Sequence, residues 1–375
     1  MGFRRPDQAA MSSETGPAVN EEYYHPLNKA EEEVYRQALS AENQRPKIID
    51  DDKGNNSEFA EVFSAEVRAL DQGKVERIKR QQEGSRTMRS SILEYIIHHH
   101  AEASDWVAGK SGECYTSQTT EFDDIFNHTD MVFEWSRDGK IYRLAVDVTS
   151  SEKDERIQEK EAQIRKEIEA GTLGSIKYFK SQIEPEKIGR ITNVPKVIIA
   201  FSREMIQRLC GDLATKKPKE LAKSPEQLLI LEEISQQMTD QIEYALGLIL
   251  EETEKIFLEL NQREQRELKA VLRETVLLAQ NPENLAKVLA TLDQQSNLLG
   301  KLQSHPTIRK YLSGINRQRE IQTIVNGIIE EKEKSGEVQA PAASSRENNI
   351  VLKRVKSRLT NFGIPPGLED ILQAA

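Results

Sequence analysis

Cysteine is scarce in this chain, long apolar runs are missing, and so are the glycine signatures that cradle phosphates. The 375 residues include only two cysteines, Cys114 and Cys210. That is too few for a disulfide framework or a cysteine metal cluster, and it points to a reducing, cytoplasmic setting. Apolar runs such as Val197-Ile198-Ile199-Ala200-Phe201 stop far short of the roughly 20 residues that span a bilayer, so no membrane role is expected. Met1 to Pro6 has no apolar core after Arg4 and Arg5, so it does not read as a secretory signal. No nucleophile elbow, Walker or dinucleotide-binding pattern occurs. The formal charge of −10 argues against a protein that coats nucleic acid by bulk electrostatics. Nucleic acid would need a local basic groove. The basic clusters at Lys74 to Arg80, Lys216 to Lys219 and Lys353 to Arg358 are short, and each is also readable as a solvated helix face.

The composition that is present, 37% hydrophobic and 30% charged, suits long exposed helices alongside a smaller packed core. Residues 1–25 are polar with scattered Gly and Pro and are expected to be disordered. A helical N-terminal region follows to residue 84, with helices over Pro26 to Ala41 and from near Ser57, the second interrupted at Gly73. A third helix from about Ser85 carries Met88, Ile92, Leu93, Ile96 and Ile97. Gly109 to Asp124 reads as loop and strand. Beyond the hairpin discussed next, Ser150-Ser151 with Asp154 forms a helix start, and that helix runs to Gly171–Gly174. A short segment follows around Ile176 to Phe179, then a buried-type strand over Pro195 to Phe201 and a helix from Arg203 to Ala214. Residues 224–335 read as all-helical. The first helix carries Leu231, Ile234, Met238, Ile242, Ala245, Ile249 and Ile256 on one stripe, and others follow at Gln265 to Ala279, Glu283 to Leu299 and Pro306 to Lys332. Short connections favour a packed bundle over a coiled-coil dimerisation element, though a homodimer or a protein partner through these helices stays open. Residues 336–375 read as a linker and a small basic helix over Val351 to Leu359.

Asp130 and Asp147 are the most informative positions. Thr129 to Trp135 and Ile141 to Thr149 are alternating runs joined through Asp138-Gly139, a strong hairpin signal. A two-residue turn there pairs Trp135 with Tyr142, Phe133 with Leu144 and Met131 with Val146, giving one apolar face. The other face then pairs Glu134 with Arg143, Val132 with Ala145 and Asp130 with Asp147. A one-residue slip would scramble both faces. Two carboxylates directly opposite, with Cβ atoms roughly 5 Å apart, repel each other. A divalent cation between them would make a site, and a wet strand end would merely screen them. His98-His99-His100 cannot converge on one ion, because successive helix residues lie about 100° apart. His128, two residues before Asp130, is better placed to contact substrate or water.

The glutamate-bearing helix around Glu94, the strand opened by Thr129-Asp130, the next strand with Asp147-Val148-Thr149, and the helix and strand after it together resemble the PD-(D/E)xK, or restriction-endonuclease-like, nuclease superfamily. The likeness covers about residues 85–215. It implies an α/β fold, a mixed sheet core flanked by helices, followed here by an all-α helical bundle or coiled-coil region. It also implies Mg²⁺- or Mn²⁺-dependent phosphodiester hydrolysis of DNA or RNA, with Asp130, Asp147 and Glu94 as metal ligands. Glu102 competes with Glu94, and Asp123 and Asp124 are either loop ligands or a turn. In that family a lysine stands two positions after the second acidic residue. Here that position is Thr149, which supplies no charge. One reading moves the lysine to the next helix, whose inward stripe runs through Lys153, Ile157, Lys160, Ile164 and Ile168, with Lys160 as the catalytic candidate. Lys153 and Lys177 are the alternatives, and a lysine merely covering apolar surface is the bland one. The other reading is a catalytically inactive nuclease-like scaffold that binds nucleic acid or a protein partner.

Overall fold

In the computed structural model, which describes residues 26–49, 57–81, 88–109, 113–150, 154–215, 221–259, 305–336, 338 and 341, Asp138 and Gly139 both take left-handed backbone, φ 52° and 70°. Positive φ at both central residues matches the right-handed twist of the strands that such a turn connects. Strands β2 (Met131–Arg137) and β3 (Lys140–Thr149) therefore pair antiparallel in the expected register, from Arg137↔Lys140 to Met131↔Val146. β1 (Glu113–Gln118) pairs antiparallel with β2 on one side. β6 (Lys196–Ala200) pairs parallel with β3 on the other, giving a mixed sheet ordered β1-β2-β3-β6.

The alternation sorts the layers. Met131, Phe133, Trp135, Leu144 and Val146 are all buried in one apolar cluster. Fully burying each such side chain is worth about 1.5–3 kcal/mol. The cluster includes Ile92, Leu93, Ile96 and Ile97 of α3 (Met88–Ala103) and Met205, Ile206 and Leu209 of α6 (Arg203–Thr215). The other face is covered by two elements. A second, two-stranded sheet of β4 (Gly174–Lys180) and β5 (Ile188–Val194) packs Ile176, Phe179, Ile191 and Val194 on Val132 and Ala145. Beside it, α5 (Asp154–Glu169) buries Ile164 and Ile168 against Ile198.

Four elements depart from the sequence reading. Glu121–Asn127 is a short helix, α4, capped by Thr120, where a loop and strand were expected. β5 does not read as a strand from sequence, because its apolar residues Ile188, Ile191 and Val194 stand three apart; its pairing with β4 shifts register twice, and Gly189 takes φ 121°. The second helical stretch becomes α-helical only from Ala65, as α2 (Ala65–Gln81), and it runs through Gly73 without a break. The first helix, α1, is Lys29–Glu42 and is held by a capping box between Asn28 and Glu31.

The helical half is not a bundle of its own in the described residues. Leu229, Leu231, Ile234 and Met238 of α7 (Glu226–Glu259) share the cluster beneath the sheet, as do Ile321, Ile324, Val325 and Ile328 of α8 (Pro306–Ser335). Further along α7, Ile242 and Ala245 join the cluster on the α5 side. The stripe read as a bundle or dimer face is thus buried within the chain from Leu231 to Ala245, while Ile249 and Ile256 are only partly covered. The expected helices between residues 260 and 304, the N-terminal 25 residues and the basic stretch at Val351 to Leu359 lie outside the described residues. No helix among those described is long and apolar enough to cross a membrane.

The free edge of β6 is closed by glutamines rather than by another strand. The Ile198 N–H donates to Gln237 Oε1 at 2.9 Å, Gln237 Nε2 donates to the Ile198 carbonyl at 2.6 Å, and Gln241 Nε2 donates to the Lys196 carbonyl at 2.8 Å. Gln318 of α8 donates to Gln241 Oε1 at 2.9 Å. Gln237→Ala leaves the Ile198 N–H and carbonyl buried without partners, so we expect a loss of about 2–3 kcal/mol. Urea unfolding checks this, and an unchanged midpoint would show that water replaces the amide.

Candidate functional site

The hairpin ladder ends at Met131↔Val146, one step before the two aspartates. The Asp130 N–H donates to the Val146 carbonyl at 2.9 Å, so Asp130 does not sit squarely opposite Asp147. Its side chain takes over the ladder instead, with Oδ2 accepting the Val148 N–H at 2.6 Å. The Asp130 carbonyl accepts from the Thr119 N–H at 3.0 Å and from Thr119 Oγ1 at 3.1 Å. Both carboxylates are almost wholly buried, Asp130 at 5% and Asp147 at 4% exposure.

Lys160 reaches this site from α5. Ile157, Ile164 and Ile168 face inward, and helical spacing places Lys160 on the same stripe. Its ammonium forms an ion pair and hydrogen bond with Asp147 Oδ1. Burial alone would depress Lys160, but the charges of Asp147 and Asp130 outweigh it and hold the ammonium above its usual range. Asp130 goes the other way. Burial pushes its carboxyl well above the usual aspartate range, and Glu94, Asp124 and Asp147 push in the same direction. Lys160 pulls it back down through its opposite charge without reversing the rise.

Glu94 lies on α3, 7% exposed and close enough for its charge to act on Asp130. One turn earlier on the same helix, Ser90 Oγ meets Ser150 Oγ at 2.9 Å, which ties α3 to the end of β3. Glu102 is not a competitor, because its Oε2 accepts the Thr116 N–H at 3.1 Å and anchors β1. Asp123 is structural. It is fully buried, accepts the Lys177 and Tyr178 N–H groups at 2.6 and 2.9 Å, and so closes the edge of β4. Asp124 pairs with Arg45 at 2.9 Å at the border of the site. Lys177 is committed elsewhere, in an ion pair with Asp71 beneath the Phe63 and Phe122 rings. Lys153 lies outside the described residues.

His128 caps α4 in left-handed backbone, φ 47°, and is exposed at the rim. Partial desolvation lowers its pKa, Asp147 raises it, and the Lys196 and Lys160 ammoniums lower it further. Lys196 is a site neighbour that sequence reasoning missed. Its ammonium donates to the Asn127 carbonyl at 2.7 Å and pairs with Glu167 at 2.9 Å. Nothing in a lone lysine opening an apolar strand announces that role. In the triple histidine, the rings of His99 and His100 stand at 87° to each other, 5.3 Å apart.

Among the described residues no group of three or more His, Cys, Asp and Glu side chains is arranged to hold a metal ion. The three-carboxylate set of Glu94, Asp130 and Asp147 is therefore not assembled as a cage, because Asp130 spends one oxygen on the Val148 N–H and Asp147 spends one on Lys160. Each retains its second oxygen. Two carboxylates are a sufficient protein donor set for Mg²⁺, which keeps several waters and takes its remaining ligands from a phosphate. The described residues do not form a closed metal cage, and the number of carboxylates left with an oxygen is that of an open site. No family model matches this chain, and neither a curated protein nor a solved structure is significantly similar to it.

Proposed function

We propose that Asp130, Asp147 and Lys160, with Glu94 behind them, form a divergent PD-(D/E)xK-type site that hydrolyses phosphodiester bonds in nucleic acid. The observation that carries this reading is the Lys160–Asp147 ion pair. It brings a cation to the second acidic residue where Thr149 leaves the strand without one. The order of elements supports it as well: a glutamate-bearing helix, then, after β1 and α4, a strand opened by aspartate, an acidic next strand and a helix, with β6 parallel to β3 after the β4–β5 pair.

Asp130 and Asp147 would hold Mg²⁺ or Mn²⁺, which when bound lowers the pKa of a water and offsets charge on the phosphate. Glu94 keeps negative potential behind Asp130 and favours a cation there. The Lys160 ammonium, being firmly protonated, cannot accept a proton. Its work is to orient the attacking water or neutralise charge that develops on the phosphate oxygens.

Titrating Mg²⁺ or Mn²⁺ into the protein is expected to raise its melting temperature. A ligand at 100 times its Kd that binds only the folded state adds about 2.7 kcal/mol. Asp147→Asn should abolish the shift. If the wild type shows none at millimolar metal, the metal site goes.

A second reading has its own observation. The same ion pair satisfies Asp147 without any metal, which suits an inactive nuclease-like scaffold. A metal-induced shift without cleavage of single- or double-stranded DNA or RNA would select it.

A further inference from the structure

At the far end of the sheet from the aspartates, beside the N-terminus of β1, lies a half-open cavity of about 540 Å³. Among the described residues its wall carries Glu102, Asp105, Glu113 and Glu331 against one lysine, Lys332. That lysine is already engaged, donating to the Asp105 carbonyl at 2.8 Å and to Gln227 Oε1 at 2.7 Å. Glu331 lies 3.7 Å from Arg137. Among the described residues Glu102 accepts only the neutral Thr116 N–H, and Glu113 only the Tyr115 hydroxyl. Among the described residues no ion pair neutralises Glu102, Asp105 or Glu113. A separate feature of the wall is Ser104. It is 3% exposed, and its hydroxyl has no hydrogen-bond partner among the described residues. The local field is negative enough to reach the neighbouring buried thiol. Burial pushes Cys114 well up, and Glu102, Glu134 and Asp105 add to it.

The chain itself passes this cavity on its way out of the described structure. Gly336 ends α8 in left-handed backbone, φ 61°, a conformation that turns the chain away from the helix axis. Val338 then forms part of the cavity wall, and Pro341 is buried. Twelve positions beyond Pro341 begins Lys353-Arg354-Val355-Lys356-Ser357-Arg358, four cations in six residues. An extended chain of that length reaches about 40 Å. A tether so short gives the basic run a high effective concentration at the cavity, on the order of millimolar.

We infer that the acidic cavity is a docking site for this chain's own basic segment, with Lys353 to Arg358 seated against Glu102, Asp105 and Glu113. Position, reach and opposite charge all favour this occupant. The contact lies at the opposite end of the sheet from Asp130 and Asp147 and does not depend on their chemistry.

Zero-length carbodiimide crosslinking of the full-length chain, followed by mass spectrometry, tests this. The exposed Lys79–Glu121 pair, at 2.6 Å, serves as the internal control. Lys353 or Lys356 is expected to join to Glu102, Asp105 or Glu113, and R354E/R358E should remove those links while leaving the control in place. A mixture of isotopically light and heavy protein should show the links within one chain. The inference is overturned if the control crosslinks and the two lysines join none of the three carboxylates. It is also overturned if the links prove to run between copies, or if the lysines become protected only when nucleic acid is added.

Discussion

Lys160→Met should reduce cleavage of a nucleic-acid substrate by about 10²–10³-fold, the usual effect of removing one preorganised group that stabilises developing charge. The same change leaves the buried Asp147 carboxylate without its partner. The Lys160 side chain is 18% exposed and that of Asp147 5%, so the loss of stability should approach the 3–5 kcal/mol typical of a broken buried pair. The two effects separate in the double variant Asp147→Asn/Lys160→Met. Denaturant unfolding should recover much of the lost stability there, because no uncompensated charge remains, while cleavage stays absent. Thr149→Lys on the Lys160→Met background rebuilds the spacing of the nuclease superfamily and should restore part of the activity. Cleavage by Lys160→Met at the wild-type rate would leave Lys160 as a structural ion pair and nothing more.

The second large effect concerns Asp130 and pH. Its folded-state pKa is raised by burial, then by Glu94, Asp124 and Asp147. A raised carboxyl binds its proton more tightly in the folded chain than in the unfolded one. Its contribution to stability is thus fully present below the unfolded aspartate value of about 3.9. It declines above that value and is lost once pH has risen through the folded pKa. Asp130→Asn should therefore stabilise the protein at pH 7 and 8 and bring little change near pH 4. Its amide oxygen can still accept the Val148 N–H. A metal ion at Asp130 must displace the proton, so the metal-induced rise in melting temperature should grow with pH in the wild type and vanish in Asp130→Asn. Thermal unfolding at several pH values with and without Mg²⁺ checks both statements. A variant that is less stable than wild type at pH 8 would show that the carboxylate is ionised and well solvated.

The hairpin was readable because its turn chemistry and both its faces depend on local residues alone. Asp138-Gly139 set the turn, and the register followed as far as Met131 and Val146. The reading failed one residue later. There the Asp130 side chain replaces a backbone acceptor, and sequence alternation cannot register such an exchange. Lys160 was legible because three isoleucines fix the face of its helix. Glu102, Asp123 and Lys177 were not resolvable from sequence, since each is bound to a group remote in the chain: β1, β4 and Asp71 respectively. The helical half misled for a related reason. A stripe of apolar residues declares that a helix is covered, not by what. Here the cover is the sheet and its edge.

The glutamine contacts along β6 amount to a match between two unlike rulers. Positions 237 and 241 are separated by about 6.0 Å along a helix axis, and positions 198 and 196 by about 6.6 Å along a strand. The lengths agree well enough for two successive rungs and drift apart by about 0.6 Å with each further one, so α7 can imitate a neighbouring strand only briefly. Within that span the helix is locked in register. Sliding by one residue would rotate both amides about 100° off the edge, whereas its leucines and isoleucines would tolerate a smaller adjustment. Apolar packing holds α7 against the sheet, and two amides determine where along the sheet it stops.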